Sequence, residues 1–457
     1  MNRRDFNRWF VGAAGALLFP WRTAGAQGLA PGARTSTQRV PRTAVSRQQP
    51  MVNAERLQRL FDELAEFGAT EAGGTHRVAY GEEDRAARAW ILDRMREAGL
   101  EVRVDAAANI LGRRGGTDPE LPPLLMGSHI DSVPDGGRFD GNVGSLGALE
   151  AAWTMRDTAI DTRHPIEVVI FQNEEGGLYG SHAMAGRLDA SDLGQTSQSG
   201  KTVAEGIRFL GGNPDNMAAA RRRRGEIAAY VELHIEQSGI LDEAGTDIGV
   251  VEGIVGIEWW TVTVEGVANH AGTTPMDRRS DALLAAAEFV RAVNEVIRGE
   301  PGRQVGTVGQ IEALPGAPNV VPGHVVLSLE IRDLDGDKML GLYERIRQRG
   351  LEIGEASGTT FSFESRQLDI VPEPTDARVR DAIAAAADGL GLSHRPMPSG
   401  AGHDAQSLAP IAPIGMIFVP SVGGISHSPR ELTRPEDIVN GANVLLRTML
   451  ALDTMNW

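Results

Sequence analysis

Between Gly127 and Asn142 the chain reads Gly-Ser-His-Ile-Asp-Ser-Val-Pro-Asp-Gly-Gly-Arg-Phe-Asp-Gly-Asn. The apolar run Leu124-Leu125-Met126 precedes it and predicts a buried strand. His129 then stands where that strand ends, with Asp131 two residues on and on the same side. Glycines in the stretch let the backbone turn tightly and bring Asp140 back toward His129. An imidazole and a carboxylate meeting at a strand end can begin a zinc site, and can equally be surface or capping groups. What decides is whether the rest of the chain supplies further donors.

Three later segments have the same form. Ile166 to Phe171 is an apolar run broken only by Glu167, and it leads into Asn173-Glu174-Glu175-Gly176-Gly177. Adjacent carboxylates repel unless a cation is close, although a solvated acidic loop is the alternative. Tyr230-Val231-Glu232-Leu233-His234 reads as a strand with a histidine at its end, followed by Glu236-Gln237. Ile414 to Val419 is another strand, and His427 lies in a turn past it. In open α/β sheets, sites collect at the carboxyl ends of the strands. His129, Asp140, Glu174, Glu175, His234 and His427 therefore include enough N/O groups for two metal ions sharing one carboxylate, each ion keeping an open position for water.

Bulk properties narrow the choices. At 457 residues the chain predicts two domains. Its net charge of -16 argues against nucleic acid or an anionic membrane as partner. There is no cysteine, so disulfides, thiolate ligands and a Cys nucleophile are excluded, and a metal must be held by His, Asp and Glu. At the N-terminus, Arg3-Arg4, the apolar run Trp9 to Phe19 and Ala24-Gly25-Ala26 have the order of a twin-arginine export signal, predicted over residues 1–26, for a periplasmic protein. Residues 27–50 carry Arg, Pro, Ser, Thr and Gln without an acid and predict a linker.

The folded part opens with a helix capped by Asn53, with Leu57, Leu60, Phe61 and Leu64 on one face and Gly68 as its stop. A second helix carries Ala87, Ile91 and Met95 to Gly99, and Val102 to Ile110 predicts a strand with a turn at Gly112 and Gly115-Gly116. A helix follows Asn142 to about Arg156. Arg221 to Arg224, in an alanine-rich stretch, predicts a solvated helix face rather than a nucleic-acid patch. From Gly256 the order changes to strand (Trp259–Val264), helix (Ser280–Ile297, with Leu283, Val290, Val293 and Ile297 inward), strand (Gln304–Ile311), strand (Val325–Ile331), helix (Lys338–Ile353) and strand (Thr360–Glu364). That βαββαβ order predicts a four-stranded antiparallel sheet with two helices, inserted into the first domain. A helix from Ala377 to Leu390, the Ile414 strand and a closing helix resume the first pattern. The fold class is thus α/β: a mixed, mostly parallel sheet over 51–255 and 369–457, with an α+β insert over 256–368.

The sequence resembles the zinc-dependent amidohydrolases of the M20 peptidase-like superfamily. Within it, the resemblance is to the hydantoinase/carbamoylase branch of N-carbamoyl-L-amino acid hydrolases, allantoate amidohydrolases and β-ureidopropionases. The matching stretches are Gly127–Ser132, Gly137–Gly141, Asn173–Gly176, Glu232–Gln237, Asn269–Gly272, Gly316–Asn319, Gly402–Ala405 and Ser426–Ser428, in family order.

The resemblance implies a catalytic domain of the zinc exopeptidase type and a lid and dimerisation insert, hence a homodimer. It implies two divalent metals, zinc first with manganese, cobalt or nickel as alternatives. Asp140 would bridge them, with His129 and His234 on one and Glu175 and His427 on the other. Glu174 would be the general base and Asp131 the group orienting the His129 ring. His270 would donate to the oxyanion. Arg332 would bind the carboxylate of a small ureido or amide substrate, and Gln237, Asn319 and His403 would touch that substrate. The blander readings are a strand arginine paired with Asp333 and a turn histidine before Ala271-Gly272. His76, His164, His182, His324 and His394 match no ligand position and predict surface or capping groups. The implied reaction is hydrolysis of an N-carbamoyl-L-amino acid, with allantoate or a peptide as rival substrates and an inactive binding protein as the rival class.

Overall fold

Four mostly apolar strands form the centre of the main sheet. They are Leu124–His129, Ile166–Phe171, Ala229–Ile235 and Ile414–Val419, and every residue in them is buried. Runs this apolar suit strands covered on both faces, the usual environment of parallel pairing. In order across the sheet they run Ile166–Phe171, Leu124–His129, Ala229–Ile235, Ile414–Val419, all parallel. Antiparallel strands extend this core: Ile110–Arg114 and Glu101–Val104 on one side, Ile248–Ile254 and Glu373–Pro374 on the other. His394–Ser399 also pairs with Ile248–Ile254, in parallel. This is described by a computed structural model that covers residues 50–366 and 370–457. The export signal over 1–26, the linker up to residue 49 and the expected boundary at 368/369 lie outside the described residues.

Helices Ala54–Leu64, Asn142–Asp157, Ala377–Leu390 and Pro435–Leu452 pack on one face of the main sheet through Leu57, Leu146, Ile383 and Leu445. Gly144 lets Asn142–Asp157 approach the sheet closely, because a β-carbon there would strike the Leu233 carbonyl. The Glu167 that breaks the apolar run is buried between Arg113 at 2.9 Å and Arg222 at 2.5 Å. That corrects the reading of the arginine run. Residues 221–224 are not helical but follow a 3-10 turn at Pro214–Ala219, and Arg222 is half-buried on Glu167.

The expected strand Val102–Ile110 is two strands, Glu101–Val104 and Ile110–Arg114. Asp105 accepts the Asn109 amide at 2.9 Å and closes a turn that takes Ala108 to positive φ. Gly112 lies in the second strand rather than a turn, paired with Val102 and Val168, and a β-carbon there would press on Leu100 and Met95. His164, expected at the surface, is buried with Nδ1 2.7 Å from the Pro122 carbonyl oxygen.

The smaller sheet starts at Gly256, straight after Ile248–Ile254, and the chain returns to pair Glu373 with Ile254. The excursion leaves and re-enters at one strand, as an insertion does. Its order is Ile311–Leu314, His324–Asp333, Gly256–Glu265, Thr360–Ser365, and all its pairs are antiparallel. Buried and half-buried residues alternate strictly from His324 to Arg332, the mark of a sheet covered on one face. Helices Ala282–Gly299 and Gly336–Ser357 cover that face through Phe289, Val293 and Ile346. The sheet has five strands, not four. Gln304–Ile311 is broken where the Ser328 hydroxyl accepts the Gly309 and Gln310 amides, and Val305–Thr307 pairs separately with His324–Asp333. Leu283 and Val290 do not face inward; they are 38% and 37% exposed. The inward stripe runs through Ala282, Ala285, Phe289, Val293 and Ile297, about 100° away around the helix.

Candidate metal centre

The carboxyl ends of the four parallel strands converge on one carboxylate. Asp140 lies in the loop after the His129 strand, at the N-terminus of Asn142–Asp157. Its Oδ1 is 3.5 Å from His129 Nε2 and 3.1 Å from His234 Nε2. Its Oδ2 is 3.5 Å from His427 Nε2, which is in turn 3.5 Å from Glu175 Oε2. The two oxygens of Asp140 thus serve two separate triads: His129, Asp140, His234 and Asp140, Glu175, His427. Donors bound tetrahedrally at about 2.1 Å from a zinc-sized ion would stand about 3.4 Å apart. The observed gaps of 3.1 to 3.5 Å are close to that spacing, and the three at 3.5 Å are longer than ordinary hydrogen bonds.

Both buried imidazoles are held in the tautomer a metal needs. Nδ1 of His129 faces the Asp131 carbonyl oxygen at 3.0 Å, and Nδ1 of His234 faces the Ile235 carbonyl oxygen at 2.9 Å. A carbonyl only accepts, so in the neutral rings Nδ1 carries the proton and Nε2 presents its lone pair to the cluster. His129 Nε2 is buried and has no hydrogen-bond partner. That orphaned lone pair, with the all N/O donor set, fits a divalent cation. Gly141, at φ +64°, is required here, because a β-carbon would collide with the His129 ring.

Burial and close opposite and like charges set the electrostatics of the cluster. Burial, then Asp404, Glu175 and Asp140, push the Glu174 carboxyl well above the ordinary range, against the pull of His129. Burial and Asp140 raise Glu175 to about 7. Burial would raise Asp140 too, but His234, His129 and His427 hold it well below. Its contact with Asp140 raises His427 to about 9. Burial and the His234 charge depress His403 far below the usual histidine range.

The remaining expected residues fall into two groups. Glu174 is at the cluster, with Oε2 3.7 Å from His129 Nε2. Gln237 donates to Asp140 Oδ2 at 2.7 Å, and the His403 ring packs edge-on against His234 at 4.5 Å. The Asp131 carboxylate accepts the Glu174 and Glu175 amides at 3.3 and 3.2 Å, and Asp131 meets the His129 ring through both its backbone carbonyl, 3.0 Å from Nδ1, and its carboxylate, 3.7 Å from Nδ1. His270 and Asn319 are exposed, on or beside the ribbon of Asn269–His270 with Val320–Val321. Arg332 is half-buried on the smaller sheet, bound through Nε and Nη2 to Glu330 and through Nη1 to the Gly400 carbonyl. It does not pair with Asp333, which takes Lys338 instead. Among the described residues, His270, Asn319 and Arg332 make no hydrogen bond or ion pair to the five clustered donors.

Sequence reasoning overlooked several supports. Glu232 accepts the Ser128 hydroxyl at 2.7 Å and the Ala405 amide at 2.9 Å. Its two-residue spacing from His234 on one strand was the available signal. Glu232 also groups with His234 and His403, so it lies directly behind a histidine of the Asp140 cluster. Arg77, fully buried, donates to the Ile130 carbonyl and Asn142 side chain and braces both ends of the His129–Asp140 loop. Nothing in its local sequence marks it.

The family model for peptidase family M20/M25/M40 matches residues 125–451. An N-carbamoyl-L-amino acid amidohydrolase of Geobacillus stearothermophilus is 42% identical over 88% of this chain and 99% of its own length. The allantoate amidohydrolase of Escherichia coli is 34% identical over 84% of this chain and 94% of its own. A solved hydantoinase/carbamoylase family amidase from Burkholderia multivorans has a TM-score of 0.82 and 37% identity, covering 89% of this chain and 99% of that one. The chain belongs to the M20/M25/M40 peptidase family. Within that family it is a hydrolase of the hydantoinase/carbamoylase branch, and its buried His/Asp/Glu cluster is of the divalent-metal-binding kind.

Proposed function

We propose that this protein hydrolyses the carbamoyl C–N bond of N-carbamoyl-L-amino acids with two divalent ions, zinc in the first place. The observation carrying the reading is the division of Asp140 between two triads at donor spacings of 3.1 to 3.5 Å. His129 and His234 would complete one site, and Glu175 and His427 the other. When bound, such a pair lowers the pKa of water toward about 7 and polarises the ureido carbonyl. Glu174, whose carboxylate lies beside His129, takes a proton from the attacking water and gives it to the leaving nitrogen. The amino acid leaves, and the carbamate falls to ammonia and carbon dioxide. His270 donates from its exposed Nε2 to the developing oxyanion, its Nδ1 being occupied by the Gly272 and Thr273 amides. Arg332 binds the substrate carboxylate, and Gln237, Asn319 and His403 contact the substrate.

Allantoate is the second reading, favoured by the likeness to the Escherichia coli enzyme. The presence of His234 in the ligand set and of Arg332 favours ureido acids over peptides, and Glu174 in place at the cluster argues against an inactive binding protein. The insert, 256–368, serves as lid and dimerisation domain; exposed Leu283, Leu284 and Val290 on its first helix support a homodimer. The Arg3-Arg4 leader supports export to the periplasm. The test is metal analysis of the purified protein, then ammonia release from N-carbamoyl amino acids, allantoate and dipeptides, with and without chelator. Activity that survives complete metal removal overturns the reading; preference for allantoate replaces it with the second.

A further inference from the structure

His427 is the outlier among the donors. His129 and His234 are fixed on or beside strands with side chains 1% exposed, whereas His427 sits in an irregular loop at φ +52° and its side chain is 50% exposed. Something must hold that loop against Asp140, and Glu431 does so. It is 5% exposed. Its Oε1 accepts the backbone amides of Phe139 at 2.9 Å and Asp140 at 3.0 Å. Its Oε2 lies 2.9 Å from the Ser426 hydroxyl, which is also 3.0 Å from Asp140 Oδ2. One side chain therefore spans the loop carrying the bridging carboxylate and the loop carrying His427. Gly137 exists as glycine for the same reason, since a β-carbon there would overlap the Glu431 carboxylate. The Ser426 hydroxyl makes the same crossing to Asp140, and Glu431 holds that hydroxyl in place.

We propose that Glu431 is a positioning residue that sets the affinity of the Asp140–Glu175–His427 site while leaving the His129–Asp140–His234 site nearly untouched. This rests on the two-cation reading above. The physical reason is the unequal anchoring. The buried triad takes its imidazoles from strand ends braced by the sheet, so loss of Glu431 leaves both in place. The other triad depends on a loop whose register on Asp140 is kept by Glu431 and the Ser426 hydroxyl it holds. Free to move, that loop would have to be ordered again each time a cation binds, and affinity falls by that cost.

The experiment titrates metal-stripped wild-type, Glu431→Ala and Glu431→Gln proteins with zinc by calorimetry, with metal content after dialysis and thermal melts alongside. Wild type should take two ions. Glu431→Ala should keep one at unchanged affinity and bind the second at least about tenfold more weakly, as expected for losing hydrogen bonds to a charged acceptor. Glu431→Gln, which keeps an acceptor for the two amides, should fall between. Equal weakening of both sites, or no change in either, would overturn the proposal. If Glu431→Ala does not fold, Glu431→Gln and Ser426→Ala carry the same test with a smaller selective loss. A wild-type protein that takes only one ion would overturn the two-cation reading instead, which separates the two failures.

Discussion

The two ends of the proposed reaction are built differently. The candidate metal cluster lies at the carboxyl ends of four parallel strands, and its donors stand at separations of 3.1 to 3.5 Å. Three of the proposed recognition residues are on the smaller sheet and its ribbon, where His270 and Asn319 are exposed and Arg332 is already matched by Glu330, while Gln237 and His403 lie at the cluster itself. Glu330 is itself held by the Trp259 indole. A rigid sheet can pre-set groups whose partner is always the same ion. Groups that must admit and release a substrate sit instead where intramolecular partners satisfy them meanwhile. Arg332 retains N–H groups that Glu330 and Gly400 do not use, so a carboxylate can bind without first breaking the existing pair.

This contrast can be broken from either side. The largest effect is expected at the cluster: Glu174→Gln should keep its metal while kcat falls by about a hundredfold to ten-thousandfold. Metal content beside steady-state ammonia release checks this, and a variant with more than about a tenth of wild-type turnover removes Glu174 from the role of base. Next comes His270→Ala, whose kcat should drop by about a hundredfold or more, with both metals still bound. A loss expressed only in KM would make His270 a binding group. Arg332→Ala should raise KM for carbamoyl amino acids by about tenfold to a hundredfold at little cost in kcat. An unchanged KM would leave Arg332 as a structural link between Glu330 and the Gly400 loop.

The smallest effect is on stability and lies away from both regions. Burial and nearby Arg187 lower the His182 pKa from 6.5 to about 4. The folded chain therefore resists a proton that the unfolded chain accepts, and stability falls as pH drops from 6.5 toward 4. His182→Gln should flatten that fall by about 1 kcal/mol, allowing for the ring's partial exposure. Denaturant midpoints at pH 7 and pH 5 measure it; identical slopes in wild type and variant would show that the ring is solvated.

The strands that carry the site were legible because they are short apolar runs with polar chemistry at one end. Ile166–Phe171 and Ile414–Val419 have the bounds the pattern predicts. Errors arose where a side chain overrode the pattern. Asp105 closes a turn inside an apparent strand, Ser328 interrupts another by taking two amides, and Glu167 draws Arg222 out of a helix. On the Ala282–Gly299 helix Val293 and Ile297 face the sheet as the pattern predicts, but alanines at 282, 285 and 286 complete that stripe in place of the larger Leu283 and Val290. Glu431 escaped notice for a related reason: it lies 291 residues from the Asp140 amide it accepts, and no local rule connects them.

By itself the sequence determined which donors end up at strand ends, since strand polarity and apolar runs are local properties and parallel pairing aligns their carboxyl ends. Only the tertiary structure decided that Asp140 turns one oxygen to each triad, that carbonyls lock two imidazoles with Nε2 inward, and that a distant carboxylate ties the His427 loop to Asp140. Those outcomes depend on ångström-scale distances between segments hundreds of residues apart, which packing sets and periodicity does not encode.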